Sequence, residues 1–183
     1  YSAANASEFS DMMAAQLGWS SYGDKEYVAH VLRYYPYGVL IGMGASSDLV
    51  EIALVQEGYT GGEMFWRWYG FDEYQPWCAC FVSWCADQCG YIDAGIVPKF
   101  SLCSIGVEWF QEKGRFRHSS YIPSVGDLIF FDWDNDGSIE HVGIVVNVEN
   151  GYVNTIEGNS SNMVQRGRYE TRDNTIYGYG IVL

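Results

Sequence analysis

Groups able to carry nucleophilic catalysis occur at separate places along the chain: the thiol of Cys78, the imidazole of His141, and the carboxylate of Glu157 or the amide of Asn159. A thiolate attacks a carbonyl carbon, an imidazole takes up and returns the proton, and a carboxylate or amide orients the imidazole. The order and types therefore predict a cysteine hydrolase site, provided that the fold brings the three side chains together.

Cys78 is expected at the start of a helix that ends near Gly90. Pro76 suits the run-in or the first turn of a helix, where its missing N–H costs little, and glycine suits the end. The positive end of the helix dipole favours a thiolate at this position. At helical spacing Cys78, Phe81, Val82, Cys85 and Cys89 form one apolar stripe, whereas Cys80 faces away among polar residues. Cys85 and Cys89 are interpreted as small buried hydrophobic residues.

The five cysteines allow other interpretations. An odd number leaves at least one thiol without an intrachain partner, and a disulfide between two of the others is not readable from spacing. Zinc is disfavoured because the spacing Cys-x-Cys-x₄-Cys-x₃-Cys lacks the paired C-x₂-C ligands of structural zinc sites.

His141 and Glu157 are expected on the two strands of one hairpin. Asn150-Gly151 is a strong hairpin signal between two β-rich runs, His141–Val148 and Tyr152–Glu157. With those two residues as the turn, position 149 pairs with 152, so position 144 pairs with 157. Glu157 then falls near the His141 end of the hairpin, and Gly143 leaves space beside the imidazole ring.

Four motifs in this order resemble the CHAP family, the cysteine, histidine-dependent amidohydrolases/peptidases of bacterial cell-wall lysis within the papain-like superfamily. The motifs are Pro76–Trp84, Gly126–Phe131, His141–Val145 and Ile156–Asn159. The resemblance covers about residues 46–183 and implies an α+β papain-like fold, with N-terminal helices packed on a C-terminal antiparallel sheet. Residues 1–45, with helices expected at Glu8–Leu17 and Lys25–Tyr35, are interpreted as a helical extension of unknown role.

The resemblance assigns Cys78 as the nucleophile, His141 as the general base, Glu157 as the acidic third member and Asn159 as a nearby amide. The backbone N–H of Cys78 would form part of the oxyanion hole. Tyr74, Gln75 and Trp77, just upstream, are the candidates for a second donor and for substrate contacts.

The activity implied by the resemblance is hydrolysis of a peptidoglycan amide bond in a secreted or wall-associated, endolysin-like bacterial protein. The preferred bond lies in the peptide stem (endopeptidase); the alternative lies between muramic acid and L-Ala (amidase). A non-catalytic wall-binding module that uses the aromatic run Phe65–Tyr69, and an amidase or acyl transferase for a small or protein amide, remain as other classes.

Composition limits the partners. The net charge of −13 argues against nucleic acid and anionic membranes, and no run of eighteen apolar residues suggests a membrane span. The chain begins with Tyr1 and shows no signal peptide, so we interpret it as a mature form or a piece of a longer multidomain protein, and as a monomer. Another domain is expected to supply attraction to the anionic wall.

An acidic run, Asp132–Gly137, precedes His141. The chemistry requires no cofactor, but Asp132, Asp134 and Asp136 have the spacing that begins a calcium loop. No glutamate occupies loop position twelve, so the run is not an EF-hand. The alternative is an acidic turn between two strands.

Overall fold

The computed structural model describes residues 45–182. The helices expected within the first 44 residues lie outside the described part. Four helices come first in the described chain: α1 (Ala45–Val55), α2 (Glu63–Tyr69), α3 (Cys78–Gln88) and α4 (Cys103–Glu112). Six strands follow: β1 (Phe116–His118), β2 (Leu128–Phe131), β3 (His141–Glu149), β4 (Tyr152–Ser160), β5 (Met163–Glu170) and β6 (Ile176–Gly180).

The strands form one antiparallel sheet in the order β1-β6-β2-β3-β4-β5. Helices followed by an antiparallel sheet confirm the predicted α+β class. Helix α1 begins at Ala45, so Ser46–Asp48 lie in its first turn. Phe116–His118 pairs with β6 because its backbone groups complete that strand's open edge.

Helix α3 is the centre of the helical layer. It packs against α1, α2, β3 and β4, and every residue from Cys78 to Ala86 is buried. The position of Cys80 on the helix had predicted polar surroundings, and this prediction was wrong. Ser83, on the side expected to be polar, is also buried, and its hydroxyl exchanges hydrogen bonds with the backbone of Phe100 at 2.7 and 2.9 Å. Satisfying that one hydroxyl allows the helix to be enclosed on all sides.

The hairpin β3–β4 contains a bulge that the sequence did not predict. Glu149 pairs with Tyr152 as expected, but the register shifts between Val145 and Asn147, so Ile144 pairs with Ile156 and not with Glu157. One extra residue on a strand reverses the face on which all later partners lie. The bulge thus brings Glu157 to the face of the sheet that carries His141 and Gly143.

Candidate active site

Cys78 occupies the first position of helix α3 and is 5% exposed. The N-terminus of the helix has no side-chain cap, so the first backbone N–H groups remain free for the sulfur or for a ligand. The thiol lies 3.8 Å from Cys103 Sγ and 4.0 Å from the carbonyl oxygen of Glu140, the residue before His141.

The surroundings favour the thiolate form of Cys78. A hydrogen bond with Cys103 lowers the pKa of the Cys78 thiol, burial opposes this, and the hydrogen bond and charge of His141 and the N–H of Ala79 lower it further. The result is a pKa well below the usual value for a thiol. Such surroundings favour the ionised form of the thiol without any substrate, and the ionised form is the one able to act as a nucleophile.

His141 opens strand β3 and is 8% exposed. Its Nε2 lies 2.9 Å from Oε2 of Glu157, which leaves Nδ1 to serve Cys78. Burial alone lowers the pKa of His141, but hydrogen bonds and charges from Cys78 and Glu157 outweigh burial and raise the pKa to about 9. At neutral pH the arrangement is therefore a thiolate–imidazolium pair backed by a carboxylate.

Glu157 is held from several sides in a pocket that excludes water. It is 1% exposed, its Oε1 accepts a hydrogen bond from the hydroxyl of Thr155, and its Oε2 accepts one from Tyr169 at 3.3 Å. A Cβ on Gly143 would lie 2.7 Å from Glu157 Cγ, and one on Gly167 would overlap Oε1. These two glycines make room for the carboxylate, whereas the sequence had suggested that Gly143 made room for the imidazole.

Asn159 and Tyr74 contact each other, not the imidazole. Tyr74 donates its hydroxyl hydrogen bond to Oδ1 of Asn159 at 3.3 Å. Asn159 has a left-handed backbone (φ 60°) at the end of β4, where the pairing with β5 is also irregular. The contact joins the loop before Cys78 to the strand that carries Glu157. Of the two candidates, it is Glu157 whose side chain lies within hydrogen-bonding distance of His141.

Trp77 and Gln75 differ in exposure. Gln75 is exposed, so it remains a candidate for contact with substrate. The side chain of Trp77 is fully buried, stacks on Phe65 with ring centroids 5.5 Å apart, and lies close against Gly62. The expected substrate contact of Trp77 was therefore wrong for its side chain, because an indole so enclosed reaches no ligand.

The aromatic run Phe65–Tyr69 divides in the same way. Phe65 and Trp66 are buried in the core, whereas Trp68 and Tyr69 are half-buried with the ammonium of Lys99 over both rings, at 4.5 and 5.0 Å.

Sequence reasoning did not single out Trp133. Its ring is 41% exposed, stacks on Phe131 at 4.5 Å and lies 5.9 Å from the ring of His141.

The acidic run forms the loop between β2 and β3. Carboxylate oxygens of Asp132, Asp134 and Asp136 lie within 4.8 Å of one another. Backbone N–H groups already bind them: Asp132 accepts from Asp136 and Gly137 at 3.1 and 3.0 Å. Donor type and spacing suit calcium, but the same hydrogen bonds also explain an acidic turn, so calcium stays a prediction.

Cys103 is one of the residues at the site that sequence reasoning missed. All five cysteines are outside disulfides, and Cys103 is buried at the first position of helix α4. The signal available was weak, namely a cysteine at a helix start outside the helix that Cys78 was expected to open. Thr155, Tyr169 and Gly167 were missed for a related reason, since their roles depend on strand register.

A thiol at a helix start, joined to a histidine–carboxylate pair on an antiparallel sheet, is the arrangement of a papain-like cysteine hydrolase. The sequence matches the CHAP domain over residues 68–159, half of the chain. The chain belongs to the CHAP domain family.

The chain is also similar to three known proteins. The bifunctional muramidase/DL-endopeptidase CwlT of Bacillus subtilis (strain 168) is 32% identical over 149 residues, which is 77% of this chain and 40% of that protein. An NlpC/P60 family protein from Bacillus cereus ATCC 10987 has a similar fold, with a TM-score of 0.51 and 21% identity over 78% of this chain and 42% of that one. NlpC2 from Trichomonas vaginalis also has a similar fold, with a TM-score of 0.50 and 14% identity over 79% of this chain and 48% of that one. The chain thus spans less than half the length of each.

Proposed function

We propose that the chain is a peptidoglycan endopeptidase that cleaves an amide bond of the peptide stem. One observation carries the proposal: a thiol of lowered pKa at the start of α3 lies against the buried His141–Glu157 pair. Cleavage of a peptide bond requires a strong nucleophile and a proton for the leaving amine. The Cys78 thiolate supplies the first, and the His141 imidazolium supplies the second. Family membership supports the wall as the place of action, outside the cytoplasm.

The first half of the reaction forms an acyl-enzyme. The Cys78 thiolate attacks the amide carbonyl carbon, and the developing oxyanion accepts hydrogen bonds from the free N–H groups at the start of α3. The C–N bond then breaks as His141 delivers its proton to the leaving amine. Glu157 keeps the imidazole in place and stabilises its positive charge until that transfer.

The second half hydrolyses the thioester. His141, now neutral, takes a proton from water as the water oxygen attacks the acyl carbon. The C–S bond breaks, the carboxylic acid leaves, and the thiolate–imidazolium pair is restored. Tyr74 or Gln75, both exposed in the loop before Cys78, is the candidate for a second oxyanion donor.

The name of CwlT combines two activities, and only one suits this site. Muramidases cleave glycosidic bonds and commonly use a pair of carboxylates, one on each side of the bond. In the described part of the chain the reactive constellation is a thiol with an imidazole and one carboxylate. The similarity therefore supports endopeptidase chemistry, and another segment of a longer protein would supply binding or further activity.

Digestion of purified peptidoglycan, followed by mass spectrometry of the muropeptides, tests the proposal. Cleavage within the stem should release truncated peptides that are absent from a Cys78→Ala digest. Free intact stems would indicate the muramoyl–L-Ala bond and an amidase. Retention of the protein on the wall without products would indicate a binding module, and either result would contradict the endopeptidase assignment.

A further inference from the structure

Two helices begin at the same point in the described structure, and each begins with a cysteine. Cys78 opens α3 and Cys103 opens α4, and their sulfur atoms lie 3.8 Å apart. Both side chains are buried, with 5% and 6% of their surface exposed. Neither helix has a side-chain cap at its N-terminus, and a backbone N–H from each first turn acts on a thiol: that of Ala79 on Cys78 and that of Cys103 on its own sulfur.

The direction of the hydrogen bond between the two sulfurs follows from their surroundings. Cys78 also faces the imidazolium of His141, which stabilises a thiolate. Within residues 45–182 no cation acts on Cys103; the hydrogen bond with Cys78, burial and the charge of Cys78 raise its pKa, and Glu140 raises it further. Cys80, the other titratable group acting near Cys78, is also held as a thiol because burial raises its pKa to about 12. Cys103 is therefore the donor and the Cys78 sulfur the acceptor.

We propose that Cys103 is a positioning residue for the nucleophile, and that its S–H donates a hydrogen bond to the Cys78 thiolate. The sulfur is then held between an imidazolium on β3 and a thiol on α4, two elements that are far apart in sequence. Hydrogen bonds to a charged group are stronger than those between neutral groups. Loss of the donor should therefore favour protonation of Cys78 and loosen its orientation.

The inference rests on the proposed role of Cys78, but its test does not need peptidoglycan. The rate of iodoacetamide alkylation at Cys78, followed by peptide mass spectrometry across pH in reducing buffer, reports how much thiolate is present. Cys103→Ala removes the donor, and Cys103→Ser keeps a hydroxyl donor in nearly the same place. Cys85→Ala is the matched control, since it removes a buried thiol from α3 at a distance from the site.

Cys103→Ala should move the alkylation profile of Cys78 to higher pH by about one unit, a tenfold change in the ratio of thiolate to thiol. Cys103→Ser should recover at least half of that shift, and Cys85→Ala should match the wild type. Muropeptide release at pH 6 should fall in the same order.

A Cys103→Ala profile that coincides with the wild type, or a Cys103→Ser shift as large as that of Cys103→Ala, would overturn the inference. If Cys103→Ala does not fold, as judged by circular dichroism, Cys103→Val fills the space without donating and replaces it. A shifted alkylation profile in a protein that releases no muropeptides would uphold the role of Cys103 while rejecting the proposed substrate. A normal profile in an active protein would do the reverse.

Discussion

The two ends of helix α3 hold the same side chain in opposite electrostatic surroundings. Cys78, at the N-terminus, meets free N–H groups, a histidine and a second thiol, which together lower its pKa. Cys85, two turns along the same helix and also buried, meets none of these, and burial raises its pKa. The pKa of Cys89, just past the other end of the helix, is likewise raised, to about 12. Burial alone makes a cysteine inert, and a reactive one needs specific partners that overcome burial.

The largest difference in activity should be that between substitutions of Cys78 and of Cys85, one near each end of helix α3. Cys78→Ala should lower muropeptide release at least about 10⁴-fold, because no other group attacks the amide carbon. Cys85→Ala should keep release within about twofold of wild type while lowering the free energy of unfolding by about 1 kcal/mol, the cost of a small cavity. Rates and denaturant curves for the two variants check this. Comparable activity losses in both would mean that the helix matters only as structure.

Removing the negative charge of Glu157 behind His141 should affect only the reactive groups at the N-terminal end of helix α3. Glu157→Gln keeps the shape of the buried side chain but no longer stabilises the imidazolium, so kcat/KM should fall about 10²- to 10³-fold. Asn159→Ala, two residues on, should have a much smaller effect, because Asn159 contacts Tyr74. An Asn159 variant that loses as much activity as Glu157→Gln would show that the wrong residue has been assigned to orient His141.

The pH dependence should reflect the ion pair. His141, raised from 6.5 to about 9, must be protonated to serve the leaving amine, so kcat/KM should fall as pH rises through about 9. Because the folded-state pKa is the higher one, the stability that His141 contributes is fully present below pH 6.5. It is lost as pH rises through about 9.

Rate profiles and unfolding curves from pH 6 to 10 measure both effects. An activity that keeps rising up to pH 10 would contradict the ion pair. His141→Gln should also remove the alkaline loss of stability.

Thr155→Val should produce a smaller effect. It deletes the hydroxyl that holds Oε1 of Glu157 and keeps the β-branched shape. We expect a roughly three- to tenfold lower kcat, because the carboxylate is held less firmly behind the imidazole. Thr175→Val, which deletes a threonine hydroxyl bonded to Asp173, is a control for hydroxyl loss elsewhere. Equal effects of the two substitutions on kcat would argue against the support of Glu157 by Thr155.

Calcium should have the smallest effect. Binding by Asp132, Asp134 and Asp136 with a Kd of about 0.1 mM would stabilise the fold by about 1.4 kcal/mol at 1 mM ion. It would brace the loop that leads to His141 and to the carbonyl beside Cys78. Thermal unfolding with calcium or chelator, in wild type and Asp134→Asn, measures this. Identical midpoints with and without calcium would leave the loop as an acidic turn.

Local chemistry in the sequence determined much of this protein. Pro76, the thiol at position 78 and Gly90 marked the start and end of helix α3, and Asn150-Gly151 marked the hairpin, because these signals act over a few residues. The order of motifs was sufficient for the family and for the α+β class. The aromatic run was not resolved into core and surface, because its composition does not say which side of α2 is enclosed.

Only the tertiary structure decided how the chemical groups meet. A regular hairpin would have placed Glu157 opposite Ile144, on the face of the sheet away from His141, and the bulge after Val145 reverses this. Cys103 joins the site because two helices start at one point, and Gly167 does so because β5 pairs with β4. Bulges and helix packing arise from competition between distant parts of the chain, which a pattern read along the sequence does not contain.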